Sequence, residues 1–223
     1  GVLRERFAGH ERFELIEGDA LAGTHAVNGE LLARIREESS PCPLVRVPGE
    51  GEEARTEPRP PGLVKLVANL PYNIASPLVI ELLIAGVDLL AFVVQKEVAD
   101  RLKAREGSDD YGPLSVMAQM LSRVEVLRRL PPAAFWPAPK IDSALVRMVR
   151  ADRLGERAGE FSVFVHKVFS ARRKTLRKAL SQAGFNANAV IGKVGLDPQR
   201  RAEELPPETF IAMFEAAWGS GDR

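Results

Sequence analysis

The chain has 223 residues, of which 45% are hydrophobic and 27% charged, and its formal net charge is +1. That apolar content supports a sizeable core and excludes global disorder, and the near-neutral balance excludes a uniformly basic nucleic-acid binder, though not a local basic patch. The one cysteine, Cys42, excludes an intrachain disulfide and favours a reducing compartment, and the scattered His10, His25 and His166 offer no metal-ligand spacing.

The chain begins at Gly1 and enters "VLRERFAGH" with helical character and no visible signal peptide. "RFELIEGDAL", residues 12 to 21, reads as a strand ending at Gly18-Asp19. Residues 37 to 61 are rich in Pro and Glu and read as a mobile surface loop or insertion. "LVKLVAN", 63 to 69, is a second, buried strand. Ser76-Pro77 has the pattern of an N-cap followed by Pro at the first helical position, opening a helix over 77 to 85. The apolar run 77 to 94 is interrupted by Glu81, Gly86 and Asp88, so it predicts a buried helix and then a strand over 88 to 95, not a membrane span. Residues 96 to 104 form an amphipathic helix, and Gly112-Pro113 precedes another over 113 to 121. "RVEVLRRLP" and "SALVRMVR" alternate as an antiparallel pair late in the sheet. Strands alternating with helices imply an α/β fold with a mostly parallel sheet. Beyond "RADRLGERAGE" only helical patterns remain, so a domain boundary is expected near residue 152.

The stretch with the most chemistry is "VANLPYNIASP", 67 to 77. It sits at the carboxyl end of a strand, where open α/β sheets bind ligands. The Asn69 amide oxygen and the Leu70 carbonyl are acceptors, Pro71 fixes the turn, and Tyr72 presents a flat face for stacking. Two acceptors beside an aromatic plane suit the exocyclic amine of a planar base such as adenine. The competing reading is a plain proline turn after a strand. In "PPAAFWPAPKIDSALVRM", 131 to 148, Phe135 and Trp136 lie among prolines that can hold a ring out of the core, against a flipped base; they could equally plug the core. "FSARRKTLRKAL", 169 to 180, is the local basic patch. Read as a helix, it puts Arg173 and Arg177 on one face, Lys174 and Lys178 on another, and Phe169, Leu176 and Leu180 inward. No Asp or Glu occurs between Phe161 and Leu196, and one-signed charge of that length favours phosphate contact over a merely solvated face.

These stretches, with "GDAL", "QKEVADRL", "YGPLSVMAQ" and "RAEELPPETF", resemble the ribosomal RNA small-subunit adenine N6,N6-dimethyltransferases, in that family's order and over most of residues 12 to 214. The resemblance implies a Rossmann-like class I methyltransferase sheet over 1–151 and a small all-α RNA-orienting domain over 152–223. It implies S-adenosylmethionine as methyl donor and dimethylation of two adjacent adenosines near the 3′ end of small-subunit rRNA. On this basis Asp19, Ala20 and Asn69 border the cofactor, and Asn69, Leu70, Pro71 and Tyr72 form the catalytic loop. Tyr72 and Phe135 stack on the base, and Lys140, Arg172, Arg173, Lys174, Arg177 and Lys178 meet RNA. The expected partner is small-subunit rRNA in a precursor particle, with the protein a cytoplasmic monomer that needs no metal and contacts no membrane.

In two respects the chain departs from the family pattern. The family opens with a strand, a Gly-rich cofactor loop and an acidic ribose ligand, and this chain reads as starting after them. Gly49-Glu50-Gly51 has neither a strand before it nor a helix after it and is rejected as that loop. The segment 37 to 61 is also longer than usual. Two alternatives stay open: a catalytically inactive, RNA-binding ribosome-assembly factor, and a related methyltransferase with another target, such as the large-subunit adenosine of antibiotic-resistance methylases, or a counterpart of the mitochondrial transcription-factor relatives.

Overall fold

The computed structural model describes residues 5–7, 9–10, 14–23, 26–39, 42–47, 55–59 and 63–218. Residues 14–20 carry no strand, against the expectation for 12 to 21. The reason is local: the Asp19 carboxylate accepts the Leu21 amide at 3.1 Å, an Asx-type turn that competes with extended pairing. Only a single bridge, Leu21 with Val27, follows. Helix α1, Gly29–Ser39, begins where the Asn28 side chain accepts the Glu30 amide at 3.0 Å.

The segment expected to be a surface loop or insertion contains an antiparallel ribbon, β1 (Cys42–Val47) with β2 (Arg55–Arg59), Val45 opposite Glu57. Its prolines, Pro43 and Pro58, hide the strands from a sequence reading. In a two-stranded ribbon both strands are edges, where proline is tolerated.

The main sheet has four strands in the order β3 (Lys65–Asn69), β4 (Leu89–Gln95), β6 (Ser143–Arg150), β5 (Ser122–Leu130). Only β3 and β4 run parallel; β4–β6 and β5–β6 are antiparallel, so among the described strands the sheet is not mostly parallel. The connection 131–142 returns the chain directly, without the crossover helix that a parallel pair needs. The expected antiparallel pair of late strands is present.

Helix α2, Ala75–Ala85, starts two residues before the expected position. Ser76 makes no capping bond; the Pro71 carbonyl instead accepts the amides of Ile74 (3.2 Å) and Ala75 (3.1 Å), rolling the turn into the helix. Gly86, at φ 105, ends it in the left-handed conformation, and Val87 N–H bonds back to Leu82. Asp88 then knits the sheet: its carboxylate accepts the Val64 amide (2.9 Å) and its carbonyl the Arg150 amide (2.8 Å). Helices α3 (Lys96–Leu102) and α4 (Pro113–Leu121) follow. Leu90, Phe92 and Val94 alternate onto one sheet face, where with Val146 and Met148 they join the core formed by Val79 and Leu83 of α2 and Val116 and Met117 of α4. The opposite face carries Val67, 81% exposed, beside Ala91 and Arg147.

After β6 the described chain is helical: α5 (Ala158–Phe169), α6 (Leu176–Gln182), α7 (Ala187–Val194) and α8 (Pro207–Trp218). Phenylalanines hold these helices together. Phe161 meets Phe214 edge-on at 5.5 Å and Phe169 stacks on Phe210 at 5.3 Å. Each buried Phe contributes roughly 1.5–3 kcal/mol. No helix among the described residues is long and apolar enough to cross a membrane.

Candidate active site

The carboxyl ends of β3, β4 and β5 and the start of β6 meet at one end of the sheet. A cleft of about 390 Å³ opens there, lined by Asn69, Leu70, Pro71 and Tyr72 on one side and Phe135, Trp136, Pro137 and Pro139 on the other. That size falls within the ~300–1,000 Å³ of small-molecule sites. The structure thus brings together two stretches separated by more than sixty residues of sequence.

The first wall is anchored from beneath. The Leu70 side chain is buried, and its amide donates to the Val93 carbonyl at 3.3 Å, extending the parallel ladder by one bond. Among the described residues the Leu70 carbonyl accepts no hydrogen bond and the Asn69 side-chain amide makes none. Both acceptors are therefore available to a ligand. The Tyr72 hydroxyl lies 2.9 Å from Ser143 Oγ, a fully buried atom at the start of β6. Sequence reasoning missed Ser143 because nothing local to it suggests a partner 71 residues away.

The second wall is a proline-braced loop. Pro132–Ala134 forms a single 3₁₀ turn, Phe135 is half-buried, and Trp136 is 98% exposed. Neither ring plugs the core, so the competing reading of that loop fails. Trp136 joins Phe135 on the cleft, which the stacking assignment to Tyr72 and Phe135 had left out.

The other expected site residues lie apart. Asp19 and Ala20 are not among the residues lining the cleft. Lys140 lines an adjoining hollow of about 320 Å³ with Gln95, Glu97 and Asp142. The basic segment is not one helix: α5 ends at Phe169, residues 170–174 turn, and α6 starts only at Leu176. Arg173 and Lys174 therefore sit on the turn, and the expected helical faces pairing them with Arg177 and Lys178 do not exist. Leu176 and Leu180 point into the core as expected. The turn is held by a bridge between Thr175 and Arg201 and by Leu176 N–H to Arg200 at 2.6 Å. Arg172 faces the protein: it pairs with Glu203 and donates to the carbonyls of Asp109 (2.8 Å) and Ser108 (3.3 Å). Arg173, Lys174, Arg177 and Lys178 are exposed and make no ion pair among the described residues. No cluster of three His, Cys, Asp or Glu residues that could hold a metal occurs among the described residues.

Stretches of the chain are similar to proteins named ribosomal RNA small subunit methyltransferase A. The one from Neisseria meningitidis is 41% identical over 157 residues, which is 68% of this chain and 60% of that protein. The one from Desulfitobacterium hafniense is 46% identical over 159 residues, 68% of this chain and 57% of that protein. The match thus spans about three fifths of the length of these curated relatives. Among solved structures, a dimethyladenosine transferase from Plasmodium falciparum superposes with a TM-score of 0.57 at 22% identity, covering 67% of this chain and 66% of that one. The 23S rRNA methyltransferase ErmE superposes with a TM-score of 0.53 at 22% identity, covering 97% and 76%. Both likenesses establish the fold, the Rossmann-like class I methyltransferase architecture. The family model described as ribosomal RNA adenine dimethylase matches residues 2–218, and the chain belongs to that family.

Proposed function

We propose that this chain carries the target-base site of an S-adenosylmethionine-dependent adenine N6,N6-dimethyltransferase acting on small-subunit ribosomal RNA. The observation that supports this most is the cleft itself, where two uncommitted acceptors, on Asn69 and Leu70, stand beside the rings of Tyr72 and Phe135. The adenine N6 lone pair is delocalised into its ring and is a poor nucleophile. Accepting both N6–H groups at Asn69 Oδ1 and Leu70 O favours a more tetrahedral nitrogen, its lone pair directed out of the base plane. The two rings hold the base, and Pro71 keeps the acceptors converged. No strong general base is needed, because the nitrogen becomes acidic as it is alkylated.

S-adenosylmethionine, when bound, supplies a methyl group on a sulfonium. Residues present here fit one end of it: Asn69 stands uncommitted at the carboxyl end of β3, where such sheets bind ligands. Asp19 and Ala20 are assigned the cofactor's adenine by family resemblance. We take residues 1–151 as the methyltransferase domain and 152–223 as the helical RNA-orienting domain. Arg173, Lys174, Arg177 and Lys178, with Lys140 nearer the cleft, are the phosphate contacts. Arg172 is a structural tether in this reading.

The test is methyl transfer by the full-length protein to under-methylated small ribosomal subunits, with nucleoside mass analysis of the product. Dimethyladenosine in small-subunit rRNA is the expected result. Transfer only to large-subunit rRNA reassigns the substrate, and tight RNA binding with no transfer makes the protein an assembly factor.

A further inference from the structure

Three serines are buried among the described residues: Ser115, Ser122 and Ser143. Two of them bond only to backbone atoms. Ser115 Oγ donates to Arg101 O at 2.6 Å and accepts the Gly112 amide; Ser122 Oγ donates to Ala118 O at 2.8 Å, one helical turn back. Ser143 alone reaches a side chain of the cleft, the Tyr72 hydroxyl at 2.9 Å. Its backbone is clamped from both sides, opposite Gln95 of β4 and Leu130 of β5. A rigidly held hydroxyl therefore meets the far end of a half-exposed ring that can otherwise turn about its Cα–Cβ bond.

We infer that Ser143 is a positioning residue that fixes the plane of Tyr72 and so sets how a base stacks in the cleft. This rests on the base-binding reading of the cleft given above. The bond joins the turn after β3 to the first residue of β6, the strand that follows the Phe135 loop. One contact thereby ties together the two walls between which the base would lie. Ser143 touches no reacting atom, and its effect passes through the ring.

The test uses the 223-residue chain and a short single-stranded RNA carrying one 2-aminopurine, whose fluorescence is quenched on stacking and which lacks the N6 amine. Wild type quenches and Tyr72→Ala does not. Ser143→Ala and Tyr72→Phe, which keeps the ring, each lower the stacking equilibrium about three- to ten-fold, the range of one net hydrogen bond. The double variant is no worse than either single. Quenching by Ser143→Ala equal to wild type overturns the inference, as do single effects that multiply in the double variant. If Ser143→Ala fails to fold, an undiminished Tyr72→Phe overturns it equally. A wild type no better than Tyr72→Ala removes stacking on Tyr72 from the base-binding reading, and Ser143's role with it; the N6 acceptors are tested separately by methyl transfer.

Discussion

The phenol of Tyr111, fully buried, donates its hydrogen to the backbone carbonyl of Leu205 at 2.8 Å, and its ring meets Phe169 edge-on at 6.1 Å. This joins the loop before α4 to the helical part of the chain. Burial, with Glu106 and Glu208 nearby, pushes its ionisation well above the ordinary tyrosine range. The folded state therefore holds its proton where the unfolded chain releases it, so this contribution is intact below pH ~10 and is lost as pH rises beyond that value. Tyr111→Phe should cost about 1–2 kcal/mol at neutral pH, because it also leaves the Leu205 carbonyl unsatisfied. It should also flatten the fall in Tm above pH ~10. Thermal unfolding of both proteins across pH 7–11 checks this.

Glu81 sits half-buried on α2, and burial raises its ionisation while His166 pulls it back. The folded state thus favours the protonated carboxyl. Its contribution is fullest below the unfolded chain's carboxylate pKa and is lost as pH rises through the raised folded value. Glu81→Gln should accordingly raise Tm at neutral pH and leave it nearly unchanged at pH ~4. An unaltered Tm at neutral pH would show that the carboxylate is solvated at no cost.

Neighbouring arginines divide between two tasks. Arg173→Gln with Arg177→Gln should weaken RNA binding and reduce the slope of log K against log salt, by up to roughly 0.7–0.9 per lost phosphate contact. Arg172→Gln should instead lower Tm, since it removes the closer of Glu203's two arginine pairs and the bonds to the 108–109 carbonyls, and leave the salt slope unchanged. Salt-titrated binding and unfolding of the same three proteins separate the two patterns.

Asn69→Ala removes one of two acceptors in the cleft but nothing from the ladder beneath, because the Leu70 amide still bonds to Val93. In the full-length protein, methyl transfer should fall by at least ~100-fold, the scale of removing one preorganised polar group from a reacting centre. RNA affinity should stay within about two-fold, as the phosphate contacts are elsewhere. Single-turnover methylation and equilibrium binding give the two numbers.

Some of this was legible before any coordinates. Gly112-Pro113 marks the start of α4 because proline suits the first helical position, where its missing N–H has no intrahelical partner to lose. The acceptors and ring of residues 69–72 were readable because they are contiguous. What was hidden depends on distance or competition. Ser76-Pro77 carries a capping signature, yet the Pro71 carbonyl captures the first amides and starts the helix earlier. The run from Phe169 to Leu180 has helical periodicity, but the Thr175–Arg201 bridge breaks it, and Arg201 lies 26 residues downstream. Local charge counting made Arg172 part of a one-signed patch; its partner Glu203 comes from another element.

Strand β3 has β4 on one side and no described strand on the other, and Val67 stands 81% exposed on its open face. Such an edge is a template: extended segments of other molecules can add to it in register. Handling of this chain in concentrated solution should therefore be limited by self-association through β3. Val67→Lys, which places a charge on the open face of that strand, should lower light scattering at high concentration without altering the cleft.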